Sequence, residues 1–260
     1  MTLLTWADLL EHRPPLDRPV RLSVGVFDGL HVGHRRLLTE ITGGGTDPLP
    51  LVMTFSPSPA VVRSRDAFPG FILTNRQKME RMGSLGVGAA VVIDFSKEMS
   101  NLSGEAFVRL LRENLTIQKI VVGQNFRFGK KRISGTDDLK EMFSDTGTEV
   151  LVTEPMLHGG SMVSSSRIRA AIGSGELAEA HEMLAACHAI DLREIVNRSS
   201  KGSVLRIPRS EIIQVLPPAG EYAVSSGSPA GNTSGTCRID NDSLTLAAEN
   251  CGSAVNVIFA

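Results

Sequence analysis

Short apolar runs alternate with helix-patterned segments along the first 186 residues, and this alternation is the strongest constraint on the fold. Arg21–Phe27, Pro50–Phe55, Ala89–Phe95, Lys119–Gly123 and Thr148–Glu154 read as strands. Ala89–Phe95 is continuously apolar up to Asp94, as a strand buried on both faces requires. Between the strands lie helical patterns at His34–Thr42, Thr74–Gly86, Ser103–Asn114 and Asp137–Phe143. Two more follow, Ser166–Gly175 and Glu176–Ala186. Ser103 is placed to cap its helix, with Phe107, Leu110 and Leu111 on one face. Strand–helix alternation predicts an α/β fold with a parallel sheet and helices on both faces. Ligands of such sheets bind beyond the carboxyl ends of the strands.

Composition changes near residue 187. Nine of ten Phe lie at or before Phe143, whereas residues 187–260 hold ten Ser and six Gly. That tail reads as all-β, in short pieces at Val204–Ile207, Ile212–Val215, Tyr222–Val224, Cys237–Ile239, Leu244–Ala247 and Val255–Phe259. A small sheet or barrel is expected there. Gly43–Gly45 and the stretch Ser225–Gly235 read as loops. The expected division is residues 1–186 and 187–260.

Charge and length exclude several functions. Lys and Arg number 27 against 28 Asp and Glu, a formal charge of -1, which excludes a generally basic nucleic-acid binder. No apolar run reaches the roughly 18–20 residues of a membrane span. Asp8 and Glu11 interrupt the N-terminal apolar residues, and no basic stretch precedes them, so no signal peptide is expected. Three cysteines, Cys187, Cys237 and Cys251, fit no close metal spacing and suit a reduced, cytoplasmic setting.

Three segments fall at strand ends and carry residues suited to phosphate chemistry. In GVFDGLHVGH, Gly25–His34, a strand runs through a glycine turn into a helix. Gly29 and Gly33 allow close backbone approach to a ligand, and the helix start favours phosphate. His31 and His34 offer donors to phosphate oxygens and to charge developing on a transferred group. The plain alternative is two exposed imidazoles at a helix start; a metal pair lacks a third ligand nearby. In VSSSRIR, Val163–Arg169, hydroxyls precede a helix whose first turn carries Arg167 and Arg169. They suit either a capped helix with solvated arginines or a phosphate site. FSPSP, Phe55–Pro59, and GQNFRFG, Gly123–Gly129, follow two further strands. Phe126 and Phe128 suit either stacking on a flat ring or plugging the core beneath a loop.

The ordered set GVFDGLHVGH, TFSPSP, LTNRQKMERMGSLGV, FSKEMSNLSGEAFV, VVGQNFRFG and VSSSRIR resembles the bacterial FAD synthetase family, over about Arg21–Ala186. The two-histidine and serine–arginine patterns alone point to the wider nucleotidylyltransferase superfamily; the FxFG loop and the GxFDGxHxGH context are specific to the flavin branch. The resemblance implies a Rossmann-like parallel sheet of the nucleotidylyltransferase type with a small C-terminal all-β domain. It implies transfer of AMP from ATP to FMN, giving FAD and pyrophosphate, with Mg²⁺ accompanying ATP. ATP and FMN would be the partners, with neither nucleic acid nor membrane.

By the same resemblance His31, His34 and Arg169 are the catalytic residues, with no protein metal ligand. Gly25, Phe27 and Asp28 would line the nucleotide pocket, and Ser164, Ser165, Arg167 and Arg169 would hold the triphosphate. Pro57, Ser58, Pro59, Asn125, Phe126 and Phe128 would surround the flavin. The chain departs from the family pattern at Ser58, where a histidine is usual, at Asn125, where aspartate is frequent, and at Ser166, where threonine is frequent. Residues 187–260 lack the G-x-P-T-A-N segment of the riboflavin kinase barrel, yet LPPAGEYAV, Leu216–Val224, is similar to another stretch of it. The tail therefore resembles a shortened, degenerate kinase domain, and no kinase activity is expected. The alternatives are a flavin- or nucleotide-binding module without catalysis and a transferase acting on another phosphate ester.

Overall fold

The computed structural model describes residues 1–11, 16–56, 68–94, 97–228 and 231–259. The chain forms two compact units, one of residues 1–68 and 79–156, the other of residues 69–78 and 157–260.

The first unit is built on a six-stranded, wholly parallel sheet. Its strands are β1 (Thr2–Thr5), β2 (Val20–Val24), β3 (Leu49–Phe55), β4 (Ala89–Ile93), β5 (Ile117–Gly123) and β6 (Glu149–Thr153), in the order β1-β4-β3-β2-β5-β6. All five residues of β2 are buried, and so are the first six of β3. Continuous apolar runs become central strands because both faces must be covered. From β2 the chain steps outward through β3 and β4, then returns to β5 on the other side. The order thus reverses between β2 and β5, the place where open α/β sheets bind ligands.

Helices α1 (Trp6–Leu10), α2 (Val32–Thr42), α3 (Asn75–Ser84), α4 (Lys97–Asn101), α5 (Gly104–Asn114) and α6 (Thr136–Met142) connect the strands. Ser103 caps α5 by accepting the Ala106 amide at 3.1 Å, and Phe107, Val108 and Leu111 are its buried face. β1 and α1 had no counterpart in the sequence pattern. Four residues carry too little periodicity to announce an edge strand, and α1 is set by a local device, the reciprocal capping of Thr5 and Asp8.

In the second unit a short hairpin, β7 (Leu157–His158) and β8 (Ser161–Met162), leads to helices α7 (Ser165–Ser174) and α8 (Leu177–Leu184). A seven-stranded sheet follows, of β9 (Ala189–Asp191), β10 (Ser199–Lys201), β11 (Val204–Pro208), β12 (Gly220–Ser228), β13 (Gly231–Ile239), β14 (Ser243–Ala248) and β15 (Asn256–Phe259). Its order is β10-β11-β14-β13-β12-β15-β9, and every pairing is antiparallel. Change to β structure begins at Ala189, close to residue 187, whereas the compact units part elsewhere: α7, α8 and residues 69–78 belong with the β sheet.

Two local expectations are corrected. Ile212–Val215 is not a strand of the sheet; Gln214 makes one isolated bridge to Phe71. Within the stretch read as a loop, Ser225–Ser228 and Gly231–Gly235 are strand residues of a long hairpin, in which Ser225 faces Ser234 and Ser228 faces Gly231; residues 229 and 230 lie outside the described residues. Serine and glycine suggest a loop, but here the cross-strand partners decide. The Ser226 and Thr233 hydroxyls bond each other at 2.9 Å, and a Cβ on Gly235 would lie 2.4 Å from the Ala247 carbonyl oxygen. No helix among the described residues is long and apolar enough to cross a membrane.

Candidate active site

The turn after β2 is held in a conformation that ordinary residues avoid. Phe27 (φ 54°), Gly29 (φ 88°) and Leu30 (φ 45°) all lie in the left-handed region. Holding an L-residue there costs on the order of 1–3 kcal/mol. Phe27 and Leu30 are fully buried, which offsets that cost. Hydrogen bonds from β3 pin the turn's start: Gly25 N–H donates to the Met53 carbonyl at 3.0 Å, and Thr54 Oγ1 donates to the Val26 carbonyl at 3.0 Å. A Cβ on Gly25 would sit 3.1 Å from the Phe27 ring.

This turn delivers the two histidines to the start of α2. His31 is the N-cap residue, and its Nδ1 accepts the His34 amide at 3.3 Å. The two imidazoles stack, with centroids 3.6 Å apart and planes 18° from parallel. Gly33 leaves room for the stack, since a Cβ there would lie 3.2 Å from the His31 ring. Phe27 packs edge-on to His34, centroids 5.2 Å apart. Only 6% of His31 is exposed. Burial pushes its pKa down to about 4, the bond at its backbone opposing only partly, so the ring is neutral at pH 7. With Nδ1 accepting, the proton of the neutral ring sits on Nε2, which is therefore a donor. These are not two exposed helix-start imidazoles.

The other expected pocket residues divide by depth. Phe27 is fully buried, with its ring edge-on to His34. Asp28 is buried in the turn. Thr54, which pattern reading passed over, anchors the turn; its place directly before the predicted strand end was the available signal.

At the end of β5 a second loop emerges beside the first, on the other side of the order reversal. Phe126 N–H closes a turn onto the Gly123 carbonyl at 2.9 Å, and Phe128 N–H donates to the Ser134 carbonyl at 3.0 Å. The two rings stack, with centroids 5.4 Å apart. Phe128 is 7% exposed and leans on Phe107 of α5, centroids 6.1 Å apart. It is the core plug. Phe126 is half-buried outside it, and Asn125 is exposed. Gly129 (φ 72°) is required by close packing, since a Cβ there would meet the Gly104 nitrogen at 2.5 Å. Pro57, Ser58 and Pro59 lie outside the described residues.

The serine–arginine segment belongs to the second unit. Ser164 caps α7, its Oγ accepting the Arg167 amide at 3.3 Å. Arg167 is not a solvated arginine. Its Nη1 donates to the His158 and Ser161 carbonyls of the hairpin at 2.8 and 3.0 Å, and its Nη2 pairs with Glu179 of α8. Arg169 is half-buried, and its Nε donates to the Gly70 carbonyl at 2.9 Å. Ser165 is half-buried at the first helical position.

A parallel sheet whose first central strand runs through a strained glycine turn into stacked imidazoles at a helix start defines a fold of the nucleotidylyltransferase class. Residues 14–167 match the family model described as FAD synthetase, and the chain belongs to that family. It is 31% identical over 209 residues to the bifunctional riboflavin kinase/FMN adenylyltransferase of Escherichia coli strain K12, covering 78% of this chain and 66% of the relative. The protein of the same description from Listeria monocytogenes is 30% identical over 210 residues, with the same coverage. That from Bacillus subtilis is 28% identical over 227 residues, covering 84% of this chain and 71% of the relative. The chain thus spans just under two thirds of the length of the first two. Among solved structures, a crystal structure described as a macrolide-efflux protein from Streptococcus pneumoniae has a TM-score of 0.82 at 21% identity. It covers 100% of this chain and 90% of its own, and so shares the fold.

Proposed function

We propose that the chain is an FMN adenylyltransferase that joins ATP and FMN into FAD and pyrophosphate. One observation carries the reading: two stacked imidazoles, His31 buried and neutral and His34 half-buried beside it, stand at the sheet's order reversal in a chain of the FAD synthetase family. In the proposed reaction a phosphate oxygen of FMN attacks the α-phosphorus of ATP. A P–O bond forms there, the bond from the α-phosphorus to the bridging oxygen breaks, and pyrophosphate leaves with that oxygen. Such transfer needs position and charge stabilisation more than a protein nucleophile.

His31, with its proton on Nε2, and His34 donate to the phosphate oxygens as charge builds, and the start of α2 adds its dipole. Phe126 is the ring offered to the flavin, with Phe128 behind it. Asn125, Pro57, Ser58 and Pro59 keep their proposed places around the flavin on family resemblance. Gly25 and Asp28 are assigned to the nucleotide on the same basis, as are Ser164, Ser165, Arg167 and Arg169 to the triphosphate. Mg²⁺ is proposed as a companion of ATP, on the same family basis. Three free thiols suit a reducing, cytoplasmic setting. Riboflavin kinase activity is not proposed, because residues 187–260 lack the Thr/Asn segment that serves it in the family.

The test is incubation of the pure protein with ATP, Mg²⁺ and FMN, with FAD measured by chromatography and CTP and riboflavin as control substrates. FAD from ATP, nothing from CTP and no FMN from riboflavin are expected. His31→Ala should lower the rate by roughly a hundredfold or more, the scale of losing one charge-stabilising donor. Binding of FMN or ATP without any FAD would overturn the reading in favour of a binding module.

A further inference from the structure

A second chemically equipped place lies in the second unit. Helix α8 and the first residues after it enclose a cavity of about 270 Å³, lined by Leu177, Ala178, His181, Glu182, Cys187 and Phe259 among others. Within it the Cys187 Sγ and the His181 Nδ1 are 3.3 Å apart, in hydrogen-bond contact. Cys187 is half-buried and His181 exposed, so the pair can be reached from solvent. The other two thiols provide an internal contrast. Cys237 and Cys251 are fully buried, and burial pushes the Cys237 pKa up to about 12. A thiol with a base in contact and a cavity before it differs from a lone surface cysteine, because reactivity needs a proton acceptor, an approach path and room for the incoming group.

We propose that Cys187 and His181 form a thiol–imidazole pair that takes up small, uncharged disulfides as a mixed disulfide. The Cys187 proton passes to His181 Nδ1 as sulfur attacks one sulfur of the incoming disulfide. A new S–S bond forms, the incoming S–S bond breaks, and the departing thiolate leaves with a proton returned by His181. The balance is one thiol and one disulfide consumed, one mixed disulfide and one small thiol produced. Leu177, Ala178 and Phe259 give the cavity an apolar wall, and the Glu182 carboxylate beside them disfavours anionic disulfides.

Dithiodipyridine, a neutral aromatic disulfide, is the probe, applied to the native 260-residue chain; the released thiopyridone is followed by absorbance and the labelled cysteine located by peptide mass. One fast equivalent on Cys187 is expected, with Cys237 and Cys251 reacting only after denaturation. Cys187→Ser should abolish the fast phase. His181→Asn keeps an acceptor near the thiol but no base, and should slow the phase by about tenfold, a modest share of what a positioned base supplies. His181→Gln removes the base on a longer side chain and must slow it as well. A fast phase that survives Cys187→Ser, or that keeps its rate in either His181 variant, would overturn the proposal.

Discussion

Lowering the pH should weaken the first unit specifically through His31. The folded protein holds this imidazole at a pKa of about 4, against 6.5 for a free side chain, because burial disfavours the charged ring. Between those values the unfolded chain binds a proton that the folded chain refuses. Unfolding therefore takes up a proton, and stability falls as pH drops from about 6.5 towards 4, then levels off. A displacement of that size corresponds to about 3 kcal/mol, fully retained above the unfolded pKa and lost below the folded one. The control is His31→Asn, whose side-chain oxygen can still accept the His34 amide and cap α2, but which does not titrate. Trp6 supplies the assay: it is the sole tryptophan and stacks on Phe107 in the first unit, centroids 6.3 Å apart. Urea unfolding followed by its fluorescence should show the wild type losing about 3 kcal/mol more than His31→Asn across that window. Parallel pH profiles for the two proteins would refute the reasoning, as would an NMR titration of the His31 ring with its midpoint near 6.5.

The flavin loop predicts a split between two neighbouring aromatic residues. Phe128→Ala should cost about 3–5 kcal/mol of stability in a urea melt, as for a fully packed core ring. Phe126→Ala should unfold little more easily than the wild type, but weaken FMN in a fluorescence titration by on the order of 1–3 kcal/mol while sparing ATP; equal losses for both ligands would contradict the stacking role. Thr54→Val removes the hydroxyl that holds the Val26 carbonyl at nearly unchanged volume. It should lower kcat for FAD formation more than it raises KM, with Thr54→Ser restoring the rate; a change confined to KM would argue against an anchoring role.

How much of this was legible in the amino-acid sequence depended on whether the cause was local. The parallel strands could be read because a strand covered on both faces must be apolar along its whole length, as in β3 and β4. The start of α2 could be read because glycine and histidine at that spacing have a local consequence, a turn and a capped helix. The Ser103 cap was legible for the same reason. What depended on distant partners was not. Ser225–Ser228 and Gly231–Gly235 looked like loop until these residues acquired neighbours across a strand. Arg167 could be read only as either a solvated arginine or a phosphate ligand, and its contacts with Glu179 and two hairpin carbonyls were not legible.

By itself, then, the sequence determined that strands and helices alternate, where the imidazole pair and the aromatic loop stand relative to strand ends, and which family these segments resemble. Only the tertiary structure decided that β2 and β5 are neighbours, bringing the two loops to one reversal of strand order. It alone buried His31 and so made it neutral, bent Phe27 into a left-handed conformation behind His34, and assigned one phenylalanine to the core and the other to the loop's outer side. The physical reason is that pattern and propensity act between residues close in sequence. Burial, desolvation and strain arise from atoms brought together across many residues, and no short stretch of the chain contains them.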